Sequence, residues 1–410
     1  MSAAFHHSVL ANGLHVVAET WPQARSAAFG FFVRTGSRDE PPAWNGVSHF
    51  LEHMVFKGTE RYSAEDVNRI FDEIGAVYNA STSEETTLYY AAVLPEYLPT
   101  AFALLADLMQ PAIRVADFEL EKQVILEEIG MYDDQPSYVA YDHAMQRHFA
   151  GHPLGQNVLG SRDTVSALTA EQMRAYHAER YAAGNIVLAV AGRVDWSDVL
   201  KLAEQHCGRW RAGSPPRVLT EPVPQPSRLW LPRPQQQQEQ IVALGPAPSA
   251  TDPLRFAAEI LAVLVGDDHN SRLYWELVDP GWADTADLGI HEFEGVGSYL
   301  TMLAGEPEET AKNLARVQQI FDDVNRCHVT AEELELAKTK VATRLVLQGE
   351  RPMGRLAHLG HDWLIRREYR SVADDLASLQ RVTLDDIQAL LDRYPLTLTT
   401  VVGVGPLSGL

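Results

Sequence analysis

His49, Glu52 and His53 fall within five consecutive residues. On a helix, His49 and His53 are four residues apart and project from one face. Glu52, three residues after His49, stands beside them. Two imidazoles at that spacing can grip one Zn²⁺, and a neighbouring carboxylate can take a proton from a water on the metal. The same stretch carries Leu51, Met54, Val55 and Phe56. Those residues make an apolar stripe that also suits an ordinary buried helix, so the pattern needs its context.

A tetrahedral catalytic zinc wants three protein ligands and one open position. The best source of the third is the stretch from Phe118 to Ile129, where Val124, Ile125, Leu126 and Ile129 have near-helical spacing. Glu121 and Glu128 are seven residues apart, close to two full turns, and share a face. Glu127 points about 100° away from Glu128. Such an acidic run serves equally well as a solvated helix face.

The segment from Gly46 to Gly58 resembles the active-site helix of the inverzincin (H-x-x-E-H) zinc peptidases, the family of pitrilysin, insulin-degrading enzyme and the mitochondrial processing peptidase. Three further segments are similar in order. Gly75 to Tyr89 resembles the strand after that helix. Val124 to Glu128 resembles the segment with the third ligand, and Tyr181 to Gly192 the strand closing the first domain. The similarity covers most of residues 6–200 and becomes mainly architectural beyond them. It implies one Zn²⁺ per chain held by His49, His53 and Glu128, with Glu52 as general base. It implies that Glu121 is a supporting acid and that Asn79 and Ala80 lie on a strand pairing with substrate backbone. Among the acids, Glu128 matches the family ligand and shares a face with Glu121.

Around these residues the patterns predict strands over Leu14–Glu19, Ala27–Val33, Thr86–Val93 and Ile186–Val190. They predict helices over Trp44–Phe56, Ala64–Ile74, Tyr97–Met109, Asp117–Tyr132 and Ala170–Tyr181. From Gly208 to Gln240 prolines crowd together and a Gln run follows, which predicts an extended, semi-rigid connector. Beyond it the order partly repeats. Gln240–Gly245 parallels Ala27–Val33, and Arg255–Leu264 parallels the His49–His53 helix without its metal residues. Ala331–Gln348 forms a long helix, and Leu396–Val404 a last strand. The expected architecture is α+β: two homologous domains, each a mostly antiparallel sheet packed with helices. A catalytic domain over residues 1–208, a linker over 209–239 and a metal-free domain over 240–410 follow from this duplication.

In the family, four such domains close a clam-shell chamber, and half-length members pair chains to complete it. Its substrate-holding Arg and Tyr come from the half opposite the zinc, after a Ser-Arg-Leu-like segment. Here Ser271, Arg272 and Leu273 are followed by Val278 at the Arg position and Asp284 at the Tyr position. The resemblance therefore implies a homologous second subunit supplying that pair, the alternative being a homodimer.

With 410 residues, 46% hydrophobic and 22% charged, the chain has the composition of a globular protein of two or more domains. Its net charge of −21 argues against nucleic acid and anionic membrane partners. No apolar run is long enough to span a bilayer, and the opening residues lack the pattern of a secretory signal. A cytoplasmic protein is expected, the alternative being a periplasmic one whose signal has been removed. Cys207 and Cys327 are too few for a disulfide framework. His143, His148 and His152 are off the motif and read as surface or core histidines. Gly295, Gly297, Gly403 and Gly405 lack a nucleotide-binding context and read as turns or strand ends. The leading expectation is a zinc-dependent endopeptidase of peptides or small unfolded proteins. The alternatives are a non-catalytic assembly subunit and a peptide-binding module without turnover.

Overall fold

In the computed structural model, which describes residues 3–217, 219–326 and 328–410, both halves of the chain mix strands with helices. The first half runs β1 (Ala4–Val9), β2 (His15–Thr20), β3 (Ala27–Val33), α1 (Val47–Val55), α2 (Ala64–Glu73), β4 (Val77–Thr82), β5 (Thr87–Val93), α3 (Leu98–Leu108), α4 (Val115–Asp133), α5 (Pro136–His148), α6 (Arg162–Ala167), α7 (Ala170–Arg180), β6 (Ile186–Gly192) and α8 (Trp196–Cys207). The second runs β7 (Ser227–Pro232), β8 (Glu239–Ala247), α9 (Arg255–Gly266), β9 (Thr285–Glu292), β10 (Gly297–Gly305), α10 (Thr310–Asn325), α11 (Ala331–Gly349), α12 (Pro352–Arg366), α13 (Val372–Arg381), α14 (Leu384–Arg393) and β11 (Thr400–Gly405).

Two sheets result, ordered β1-β2-β6-β3-β5-β4 and β7-β11-β8-β10-β9. Without β1, the two orders correspond strand for strand. Each has one parallel pair at one side, β2 with β6 and β7 with β11, and is antiparallel elsewhere. Helices α4 and α11 also correspond, at 19 residues each. The duplicated, mostly antiparallel α+β architecture read from the sequence is the one observed.

The chain forms two compact units that interleave. The first holds β1–β6, α1–α3, most of α4, α6–α8 and, from far along the chain, α12. The second holds α5, β7–β11, α9, α10, most of α11, α13 and α14. Strands β3 and β6 are buried along their whole length, so their sequences read as continuous apolar runs rather than alternating ones. On one face Val17, Ala28, Phe32, Val187, Ala189 and Ala191 pack with Leu356, Leu359, Trp363 and Leu364 of α12. On α12 a Cβ at Gly360 would lie 2.1 Å from the Phe32 ring, so helix and sheet approach this closely only with glycine there. In the second unit, Val139, Ala140, Ala144 and Met145 of α5 pack on Val242, Leu244, Val402 and Val404.

The proline-rich stretch holds an element that its composition conceals. Ser227–Pro232 pairs in parallel with Thr400–Gly405 at the sheet edge. An edge strand tolerates proline at its ends because its outward side needs no ladder donors. No helix among the described residues is long and apolar enough to cross a membrane. Cys207 is buried; Cys327 lies outside the described residues.

Candidate metal centre

Helix α1 begins at Gly46, whose φ is +96°. A Cβ there would lie 2.6 Å from the Leu159 carbonyl oxygen, so the helix can start against that backbone only with glycine. Glu40, in the loop before it, serves as the cap. Its carboxylate accepts from the Gly46 and Ser48 backbone N–H groups, both at 2.7 Å, and from Asn45 Nδ2 at 2.8 Å. Burial pushes the Glu40 pKa up to about 7 against those donors. Tyr176 of α7 bonds Ser48 Oγ at 2.7 Å and Thr35 Oγ1 at 2.8 Å. The helix is thus fixed at its first turn.

Helix α4 presents Phe118, Glu121, Ile125 and Glu128 at steps of three and four, a single helical face. Phe118 stacks on Phe50 of α1, and Ile125 is fully buried. That docking brings the two carboxylates up to the histidines. Glu128 Oε2 lies 3.8 Å from His49 Nε2 and 3.6 Å from His53 Nε2. His49, His53 and Glu128 each offer a donor atom within 4.8 Å of the others, the one His/Cys/Asp/Glu group of this kind among the described residues. A tetrahedral Zn²⁺ with bonds of about 2.0–2.2 Å sets its donors roughly 3.4 Å apart, so these residues fit the ion. Glu127, next to Glu128, is exposed and points away.

Glu121 touches the histidine pair differently. Its Oε1 lies 2.9 Å from His53 Nδ1, and its other oxygen pairs with Lys57. A carboxylate can only accept, so this bond places the proton on His53 Nδ1 and leaves the Nε2 lone pair able to hold a metal. Burial pushes the Glu121 pKa up, but His53 and Lys57 outweigh it and hold it below the usual range. For His53, burial works against the charge, and the Glu121 bond with the fields of Glu128, Glu121 and Glu52 overrides it and raises the pKa. For His49, burial and then His53 push the pKa down to about 3. His49 is therefore neutral at physiological pH, as a metal ligand must be. Its Nδ1 is buried without a hydrogen-bond partner.

Glu52 points to the β-sheet side of α1, where Thr82 Oγ1 donates a short hydrogen bond to its Oε2. Burial raises its pKa, opposed by the Thr82 bond and His53 and reinforced by Glu128. Asn79 and Ala80 lie on β4, the edge strand of this sheet, paired only with β5. Asn79 Oδ1 accepts from the Ala80 N–H at 2.9 Å.

The sequence reading did not single out Lys57, Thr82 or Glu40. Lys57 lies four residues after His53, within the Gly46–Gly58 segment, and that spacing is a usable signal. Thr82 and Glu40 had none, because only tertiary packing brings them to α1. In the second unit, Val278 ends a π-helical turn and packs against the core. Asp284 is exposed, accepting from Gln238 Nε2 at 2.8 Å. Arg272 is committed to Asp323 and Glu333.

Known proteins match along most of the chain. Residues 15–162 fit the model of insulinase, peptidase family M16, and residues 167–341 that of the peptidase M16 inactive domain. An uncharacterized zinc protease of Mycobacterium leprae is 32% identical over 95% of this chain and 89% of its own. The uncharacterized zinc protease YmxG of Bacillus subtilis is 30% identical over 92% and 93%. The crystal structure of a protease from Helicobacter pylori superposes with a TM-score of 0.91 at 22% identity, covering 98% of this chain and 99% of that one. The H-x-x-E-H helix, the duplicated sheets and these matches place the chain in peptidase family M16.

Proposed function

We propose that the chain is a zinc-dependent endopeptidase holding one Zn²⁺ through His49, His53 and Glu128. The convergence of those three donors, with the Glu52 carboxylate on the same helix beside them, is the observation that carries the reading. The names of its relatives agree with it. Zn²⁺ at this position supplies Lewis acidity, polarising the scissile carbonyl and acidifying a water. Glu52 takes the proton of the attacking water and returns it to the leaving amine as the C–N bond breaks. The outer edge of β4, at Asn79 and Ala80, pairs with the peptide backbone as an added strand, which gives broad sequence tolerance.

The finer reading is that this chain is the catalytic member of a pair. Its partner is a homologous chain supplying the Arg and Tyr for which Val278 and Asp284 stand here, and the two together enclose peptides or small unfolded proteins. A non-catalytic assembly subunit would have no need of the converging ligands.

Glu52→Gln tests the reading. The variant keeps its zinc, measured as metal per chain. It loses at least ~10²–10⁴-fold in turnover of an unstructured peptide, the contribution general-base catalysis ordinarily makes. Wild-type turnover in a zinc-loaded Glu52→Gln protein would overturn it.

A further inference from the structure

The general base is a long side chain with rotatable bonds, and a loosely held carboxylate loses the benefit of orientation. Glu52 is half-buried, and among the described residues its carboxylate accepts one hydrogen bond, from Thr82 Oγ1 to Oε2. Thr82 is the last residue of β4, opposite Thr87 of β5, before the tight turn Ser83–Thr86. We propose that Thr82 is a positioning residue for the reaction: its hydroxyl holds Oε2 of Glu52 so that Oε1 is left to receive the proton. This rests on the peptidase reading above.

Thr82 suits the task because its mount is stiff. The turn after it is bonded to the loop that leads into α1. The Ser37 and Arg38 N–H groups donate to the Ser83 and Glu84 carbonyls at 3.3 and 2.8 Å. A Cβ on Gly36 would lie 2.1 Å from the Ser83 oxygen, so the two backbones are in direct contact. Charges lock the same turn. Arg38 pairs with the buried Glu85 at 2.5 Å. Arg217, from the proline-rich connector, donates to Asp39 Oδ2 at 2.5 Å and to the Glu85 carbonyl at 2.6 Å, with a side chain 1% exposed. Asp39 also takes Arg180 of α7 at 2.5 Å. Buried, mutually paired charges of this kind tolerate little movement. The hydroxyl therefore stands at a fixed point relative to α1. The strand proposed to receive substrate is also the strand that aims the base.

The test compares Thr82→Val, which keeps the shape without the donor, with Thr82→Ser, which keeps the donor. Turnover of an unstructured peptide, metal per chain and crystal structures of the zinc-free proteins are measured for both. The expected result for Thr82→Val is kcat down about 10–100-fold, as for the loss of other supporting bonds at metal sites, with KM and zinc content unchanged. Thr82→Ser recovers most of the rate. Adding Thr82→Val to Glu52→Gln lowers the residual rate no further. In the crystal, the Glu52 carboxylate of Thr82→Val leaves its wild-type orientation. Wild-type kcat in Thr82→Val, a Glu52 that stays in place without the hydroxyl, or equal losses in the presence and absence of the Glu52 carboxylate would each overturn the proposal. If Glu52→Gln itself retains full turnover, the peptidase reading fails instead, and the crystal structures still decide the Thr82 contact.

Discussion

His53 and Glu121, 68 residues apart in sequence, share a 2.9 Å contact between Nδ1 and Oε1, so one acid of α4 orients an imidazole while another, Glu128, faces both of them. The two acids should separate experimentally. Glu128→Gln is expected to lose zinc strongly because a charged ligand goes. Glu121→Gln should retain the metal with an affinity about 10–100-fold weaker, the usual effect of losing a ligand's supporting partner. Glu127→Gln should bind as wild type. Zinc titration against a competing chelator ranks the three, and loss of metal from Glu127→Gln alone would refute the assignment.

The partner proposal predicts that the isolated chain is a slow enzyme. Asp284 carries a carboxylate that accepts rather than donates, so it cannot stand in for a phenol at a developing oxyanion. Absence of one such donor typically costs about 10²–10³ in rate. Mixing with a homologous subunit that carries Arg and Tyr should restore about that factor. Full, concentration-independent turnover by this chain alone would contradict it.

Arg355 of α12 is 1% exposed and grips the buried Glu19 of β2 through Nε at 3.0 Å and Nη2 at 2.6 Å, with Tyr369 on the same carboxylate. Removing one partner strands the other charge. Arg355→Met is expected to destabilise by about 3–5 kcal/mol. The Glu19→Leu, Arg355→Met double variant should recover most of that, since paired apolar replacements are often neutral. Urea unfolding of the three proteins measures both numbers, and additive losses would refute the coupling.

His148 of α5 is 2% exposed, with Nδ1 3.1 Å from Thr400 Oγ1. Burial lowers its pKa from 6.5 to about 4. Because the folded value lies below the unfolded one, the unfolded chain binds the proton first. The stability from keeping His148 neutral is complete above about pH 6.5 and falls away as pH drops toward 4, by about 3 kcal/mol at most. His148→Gln should flatten the stability profile over that window by this amount. An unchanged slope would show that His148 is not responsible.

Local patterns carried most of the fold. The unbroken apolar run Ala27–Val33 is a strand over that whole range. Ser63 before Ala64, with Asp66 three residues on, starts α2 as its capping chemistry requires. The spacing of His49, Glu52 and His53 gave one wall of the site, and the face shared by Glu121 and Glu128 gave the other. The distances between those walls are set by Phe50 on Phe118, a pairing that no local pattern encodes. Thr82, Glu40 and Arg217 stayed invisible for the same reason. β7 was hidden by its neighbouring prolines, which say that a segment is extended but not that a parallel strand awaits it.

The exchange of α5 and α12 has a consequence for how the chain acquires its structure. Each helix covers the sheet built from the opposite half of the sequence. A nascent first half therefore carries Val17, Phe32 and Val187 with no cover until residue 364 has been synthesised. Contacts at such separations make folding slow and leave apolar surface exposed while it waits. Residues 1–208 expressed alone should aggregate rather than fold, and supplying 209–410 in trans during refolding should rescue them. Each half thus carries the cover for the other's sheet, so a cut between them is expected to lay both sheets bare at once.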